Sequence, residues 1–462
     1  MSEHSTRAKE KQTVEVPAAM RAEEKGNCSS LVFEMENMYV DTDLHSVEIA
    51  HWKKTSIYRV PEWVKRITNV EAYRPWAVSL GPFHHDDPDL LPMEEHKLRA
   101  VHHMVKRSGK QLREFVAAIE AVADELQEAY DNLDYQWRGL NKCRFVEMMV
   151  TDGCFLLELK RMAEIRSRGE IDEDYAVNDP VFSDRSLHYL RSMFQNDIIM
   201  MENQLPLLVL QTLLGVQDGA SPSQSAEQVN NMVAFLLDCE LEEGNDSLGL
   251  HPLHIFHRSF CGPSHLDYEG SGKCDSTMPS AVELSKAGIH FKKSSTESIR
   301  DVDFKDGILF TPLIEVHDYT EKIFLNLMAF ERLHRDVGND VTNFIYLMGD
   351  IINTGADVMI LRSKGVMEQL LGSDEEVAKL FNSMSKGATM SPFSKLNDVQ
   401  RKVNDHCRKP WNKWRASFVQ TYLSNPWVFI SLLAGVILLI TTLLQTVYTV
   451  APYYTKRWQT PN

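Results

Sequence analysis

Charge is missing from one long stretch of this chain: the forty residues from Ala416 to Thr455 contain no Asp, Glu, Lys, Arg or His, although 25 % of the residues overall are charged. Inside it, Trp427 to Val450 spans 24 residues. At about 1.5 Å per residue a helix there reaches about 36 Å, enough to cross a hydrocarbon core of about 30 Å with some tilt. A buried core helix is usually shorter and carries a polar stripe, whereas Trp427 to Ile440 offers only Ser431. The missing charge therefore predicts a transmembrane helix over residues 427–450. Trp427 at one end and Tyr448, Tyr453 and Tyr454 at the other would sit at the two headgroup regions, with the bilayer itself as a partner.

Other absences narrow the class. Residues 1–30 have no apolar core of a secretory leader, which predicts that the bulk stays cytosolic. Four basic residues (Arg408, Lys409, Lys413, Arg415) closely precede the span and two (Lys456, Arg457) follow it, which favours the same orientation. The expected location is a membrane, plasma membrane or endomembrane, held by a single-pass C-terminal anchor with a short tail over residues 451–462. There is no basic surplus: 47 basic residues and all 65 acidic ones precede the span, so nucleic acid is not an expected partner. Seven cysteines form no CxxC pair and no regular framework, which suits a reducing compartment. Walker A, GxGxxG, GxSxG and HExxH patterns are all missing. No catalytic, cofactor-binding or metal-binding residue is assigned on these grounds, and no cofactor is expected.

What remains is mostly helical in pattern. Residues 1–46 are charged and nearly free of aromatics, and read as a flexible arm. Residues 47–415 read as one large helical domain, and residues 416–426 as a juxtamembrane segment. Leu112, Phe115, Val116, Ile119, Val122, Leu126 and Tyr130 recur every three or four residues, as a core-facing helical stripe requires. Residues 144–168, 187–201, 228–240, 313–335 and 341–361 read similarly. Residues 217–227 and 261–280, rich in Gly, Ser and Pro, read as surface loops. The clear β signal is Val302 to Phe310, alternating around Asp306-Gly307, with Ile289 and Phe291 as a third strand. The fold class is thus mainly α: a large helical domain with a small antiparallel β-hairpin or sheet, plus the C-terminal transmembrane helix.

Three polar constellations invite a functional reading. In "DIIMMENQLPLLVL" (Asp197 to Leu210), Glu202, Asn203 and Gln204 interrupt an apolar run. A buried Glu could serve as an acid or base. Pro206 makes a helix junction the more economical reading: one helix ends before it, Pro206 opens the next at its first turn, and the polar side chains satisfy orphan backbone groups. Histidines cluster at His84, His85, His96, His102 and His103, and at His251, His254 and His257 with Cys261 just beyond. Spacing by three turns each histidine about 60° round a helix from the one before, and no zinc-ligand pattern accompanies them. In "TDGCFLLEL" (Thr151 to Leu159), Cys154 beside Asp152 could be a nucleophile. A small core residue, with Gly153 admitting a close helix, fits the pattern better.

Several motifs together resemble one plant family. "YRVP" (Tyr58 to Pro61), "AYRPWAVSLGPFHH" (Ala72 to His85), "MEEHK" (Met93 to Lys97), "TDGCFLLEL", "MMENQLPLLVL", "NLMAFE" (Asn326 to Glu331) and "YLSNPWVFIS" (Tyr422 to Ser431) occur in the order typical of the domain of unknown function 247 family. The resemblance spans nearly all of the chain after the arm. It implies a mostly helical plant protein with a C-terminal membrane helix and no established enzymatic activity. It also implies fold-defining roles for Tyr58, Pro61, Gly81, Pro82, His84, Glu94, Lys97, Asp152, Gly153, Glu202, Asn203, Gln204 and Pro206. Some grass members are associated with self-incompatibility, hence with pollen–stigma recognition. Phe83 stands where the family often has Tyr, and Leu207-Leu208 where aromatics are common. Both keep apolar bulk. The expected function is non-enzymatic protein recognition or signalling at a membrane with an unidentified protein partner. The alternative is an enzyme using Glu202, Cys154 or the clustered histidines.

Overall fold

A stretch of helix buried round its whole circumference offers no face to water, and the middle of Lys142–Ser167 is such a stretch, with residues 150–159 all buried. A computed structural model of the chain describes residues 52–170, 172–219, 222–241, 247–262, 277–370, 372–409, 418 and 426–457. The chain divides into two units, Met1–Lys54 and Thr55–Asn462. Of the first, residues 52–54 are described and are helical. The arm expected over residues 1–46 lies outside the described residues.

The second unit opens with α1 (Glu62–Ile67), α2 (Pro92–Ser108), α3 (Leu112–Glu128), α4 (Lys142–Ser167), α5 (Asp184–Ile198), α6 (Leu207–Asp218) and α7 (Pro222–Leu236). α4 is the axle of this half, packed by α2, α3, α6 and α7. Gly153 brings α6 close, as its sequence context predicted. A Cβ there would stand 2.5 Å from Leu213 Cδ1 and 2.8 Å from Val209 Cγ1. The predicted stripe on α3 buries Phe115, Ile119 and Leu126, and leaves Leu112 exposed at the helix start. Tyr130 lies just past the helix and is buried. The loop expected over residues 217–227 is largely helical instead, because α6 runs to Asp218 and α7 starts at Pro222, where proline suits a first turn.

The second half contains α8 (Pro252–Cys261), α9 (Ala281–Lys286), α10 (Thr320–Leu333), α11 (Asp340–Ile351), α12 (Gly355–Ser363), α13 (Asp374–Met384) and α14 (Lys395–Arg408). α11 is the counterpart of α4, contacting α10, α13 and α14. The stretch 341–361 is two helices bent by 107° and not one. A capping box at Thr354 and Asp357 starts the second of them. Of the loop expected over residues 261–280, residues 263–276 lie outside the described residues.

Strands β2 (Asp303–Lys305) and β3 (Ile308–Thr311) form the antiparallel hairpin expected around Asp306-Gly307, both of which have positive φ. The third strand, β1 (His290–Lys293), is where it was expected, but it pairs with β3 in parallel, so the sheet is mixed. β2 already occupies one edge of β3, which leaves β1 the other. A parallel pair, β4 (Ile314–Val316) with β5 (Met367–Gln369), had no sequence signal, and it delays α10 to Thr320. Most of the described residues are helical.

The final helix, α15 (Pro426–Arg457), contains the apolar span Trp427–Ala451, none of whose most apolar window is buried. Trp427 and Tyr448 are each 77 % exposed. The helix continues into the expected tail as far as Arg457, while residues 458–462, Lys413, Arg415 and all of the juxtamembrane segment but Phe418 and Pro426 lie outside the described residues.

Candidate functional site

A stretch of chain without regular structure must find partners for its amides once it is buried. The segment Trp76–Gly81 does so almost wholly on side chains from elsewhere. Asp197, at the end of α5, accepts Trp76 N on Oδ1 at 2.9 Å, and Ala77 N and Val78 N on Oδ2 at 2.7 and 3.0 Å. Asn203 Oδ1 accepts Leu80 N at 2.6 Å, while its amide donates to Val78 O and Asp197 O. Asp152 on α4 accepts Gly81 N at 2.8 Å. Burial pushes both Asp152 and Asp197 above the usual carboxylate range, against the pull of these donors.

Lys97, wholly buried on α2, closes the other side. Its Nζ donates to Asp152 Oδ1 at 2.7 Å, Glu94 Oε1 at 2.6 Å and Ser79 O at 2.6 Å. Gly81 has φ +71°, and a Cβ there would lie 2.6 Å from Gln204 O and 2.8 Å from the Tyr130 hydroxyl, which itself donates to Gln204 O at 2.9 Å. Pro82 follows it, buried.

The Glu202–Asn203–Gln204 run reaches three separate segments. Glu202 accepts Val60 N at 2.6 Å and pairs with Lys65. His84 Nε2 stands 3.6 Å from the same carboxylate. Burial pushes the Glu202 carboxyl up, but His84, Lys65 and the Val60 N–H outweigh it and hold the group below its ordinary value. Gln204 donates to Ile198 O and Met200 O, and its Oε1 accepts Leu253 N at 2.8 Å. The junction reading therefore holds for Gln204 and for the bond from Asn203 to Asp197 O, whereas Glu202 and the other Asn203 bonds serve distant backbone. Pro206 stands one place earlier than expected, as the residue before α6. Pro61 likewise precedes α1, and Tyr58 donates to Thr55 O at 2.8 Å. Asn326, quoted in a motif but not singled out, performs the same service for Met201 N and Ala72 O.

The histidine run separates as the helical drift requires. His251 caps α8, accepting His254 N on Nδ1, with Nε2 on Ser56 O; burial keeps it neutral. His254 Nδ1 accepts Leu250 N. His257 alone turns toward Glu331, 3.0 Å away, with Cys261 Sγ 3.5 Å from its Nε2. Glu331 also accepts Val341 N, Thr342 N and the Thr342 hydroxyl, capping α11 from outside. Cys154 is a core residue whose thiol burial pushes up to about 12.

Three cavities accompany these elements. One of about 470 Å³ is lined by Arg107, Glu158 and Arg161, and an apolar one of about 220 Å³ by Leu159, Phe194 and Phe235. A third of about 490 Å³ is lined by Glu331, Arg335, Asn339 and Thr342. Glu202, Cys154, His84 and the run from His251 to His257 line none of the three.

The family model DUF247, described as plant protein of unknown function, matches residues 57–441. The chain belongs to the DUF247 family. A UPF0481 protein of Arabidopsis thaliana is 30 % identical to it over 440 residues, covering 88 % of each chain. A second UPF0481 protein of the same plant is 23 % identical over 490 residues, covering 84 % of this chain and 89 % of its own. No solved structure matches. In this DUF247 protein Gly81, Lys97, Asp152 and Asn203, all among the residues that carried the resemblance, meet at one buried clasp around residues 76–81, while Glu202, Gln204 and Glu331 hold other segments.

Proposed function

We propose that this DUF247 protein is a membrane-anchored recognition protein that works by binding another protein and not by turnover. The observation that carries the anchor is the span Trp427–Ala451, long enough for a bilayer and bare along its length. A core helix of a soluble protein would be covered by its own fold. The basic residues before the span favour a cytosolic body.

Two further features support binding over chemistry. The polar motif residues are consumed by internal hydrogen bonds, and the Cys154 thiol is held in its inert form. Outside, Trp63, Ile67, Val70 and Trp76 stay exposed on a short run of chain packed against α10, with Trp63 beneath Arg332 and Trp76 over Lys322. Exposed aromatics beside cations are what protein interfaces are rich in. Pollen–stigma recognition, implied by the resemblance for some grass members, is one form such binding would take.

The test uses the full chain expressed in plant cells. It should stay with membranes through alkaline carbonate, and a chain lacking residues 427–450 should not. Proximity labelling from the full chain should mark a protein that Trp63→Ser/Trp76→Ser no longer marks. Release of the intact chain by carbonate defeats the anchor. Glu202→Gln and Cys154→Ala should alter stability without abolishing any turnover; loss of a measured reaction in both would move the reading to an enzyme.

A further inference from the structure

The strongest unassigned constellation is His257, Cys261 and Glu331. All three are buried, and one ligand atom from each lies within 4.8 Å of the others. His257 and Cys261 are four apart on α8, one turn, so their side chains share a face. Glu331 comes from α10, against which α8 packs.

We propose that His257, Cys261 and Glu331 bind one zinc-like transition-metal ion that ties the end of α8 to α10 and α11. Zinc bonds of about 2.0–2.1 Å to nitrogen, 2.3 Å to sulfur and 2.0–2.2 Å to oxygen, at tetrahedral angles, set nitrogen and sulfur about 3.5 Å apart and nitrogen and oxygen about 3.4 Å apart. Here the separations are 3.5 and 3.0 Å. The histidine–glutamate pair needs to open by a few tenths of an ångström, and the sulfur lies within 4.8 Å of the carboxylate oxygen. The mixed nitrogen, sulfur and oxygen set selects a transition metal over calcium or magnesium, which take oxygen.

The surroundings suit an ion. The Glu331 carboxylate is fixed by Val341 N at 2.7 Å and Thr342 N at 2.8 Å, the kind of outer support that holds a ligand in place. Binding replaces a proton and leaves the balance intact. The Cys261 thiol gives up one proton to solvent, and His257 shifts its own from Nε2 to Nδ1 so that the Nε2 lone pair faces the metal. A fourth position remains for water, and the cavity bordered by Glu331, Asn339 and Thr342 gives access beside the carboxylate.

The experiment uses the full chain in detergent micelles, stripped of metal and titrated with zinc, then with cobalt. The expected result is one equivalent bound per chain, a thiolate-to-cobalt charge-transfer band and a higher melting temperature with zinc. Cys261→Ser and His257→Gln should each lose the equivalent, the band and the thermal shift, while Cys154→Ser keeps all three. Circular dichroism of the metal-free variants checks that they fold. Uptake well below one equivalent by the unaltered chain, absence of the cobalt band, or retention of metal by folded Cys261→Ser overturns the assignment. Should Cys261→Ser not fold, the unaltered chain's stoichiometry and spectrum still decide it.

Discussion

Two residues show how much of this molecule turns on single atoms. Gly81 and Gly109 both have positive φ, +71° and +64°, yet a Cβ at Gly81 would strike Gln204 O and Tyr130 while one at Gly109 would meet nothing within 4 Å. Gly109→Ala should therefore cost about 1 kcal/mol, the conformational penalty alone. Gly81→Ala should cost about 3 kcal/mol or more by adding a clash with backbone. Equal losses in denaturant midpoint would mean that the clasp yields and is not tight. Lys322 poses the opposite case, a buried ammonium 3.1 Å from the centre of the Trp76 ring whose Nζ has no hydrogen-bond partner among the described residues. Burial pulls its pKa from 10.5 to about 8, Asp197 and Glu71 opposing. Because the unfolded chain holds this proton up to the higher value, stability should rise as pH climbs from about 8 to 10.5. Lys322→Met should flatten that rise and should stabilise the protein at neutral pH by about 1 kcal/mol, since the ammonium's burial cost is then removed. A melting temperature that falls over this pH range in the unaltered chain, relative to Lys322→Met, would contradict the assignment.

At the scale of elements, the clasp is a device for burying irregular chain. Asn203 holds the segment 76–81 by one acceptor and one donor contact, so Asn203→Ala orphans Leu80 N and Val78 O together. The expected loss is about 2–4 kcal/mol, with amide exchange rising first between Ala77 and Gly81 and leaving α11 protected. Uniform loss of protection would mean that the clasp is no separate unit. The elements also show what sequence pattern carries. α4 was readable because its apolar residues recur at helical period, and the hairpin because Asp306-Gly307 can take positive φ. The break between α11 and α12 was not, since the apolar period runs through it and Gly355 alone does not mark a bend. Strands of three residues, β4 and β5, are too short for alternation to register. The partners of Glu202 and Asn203 were hidden for a different reason: a backbone N–H at Val60 or Leu80 has no signature in residue type. Glu331 was equally hidden as a neighbour of His257, 74 positions away, although the four-residue spacing of His257 and Cys261 was there to be read.

For the whole molecule the decisive contrast lies between a body whose irregular segment is held by buried side chains and a helix that leaves its apolar side chains bare. Among the described residues the backbone of the clasp is sealed, while Ile437, Leu438, Leu439 and Ile440 stand at least half exposed in mid-span. Water is a poor solvent for such a surface and lipid a good one, so the two regions call for different surroundings. Arginine at the centre of a membrane helix costs about 2.5–3.5 kcal/mol, and two roughly twice that. Ile437→Arg/Leu438→Arg should therefore move the chain from the carbonate-resistant to the soluble fraction, with the melting of the body unchanged, because those side chains are 54 % and 67 % exposed. If the helix were instead the covered core of a soluble assembly, the same two charges would unfold or disperse that assembly and lower the melting temperature. Fractionation and melting measured on one preparation separate the two.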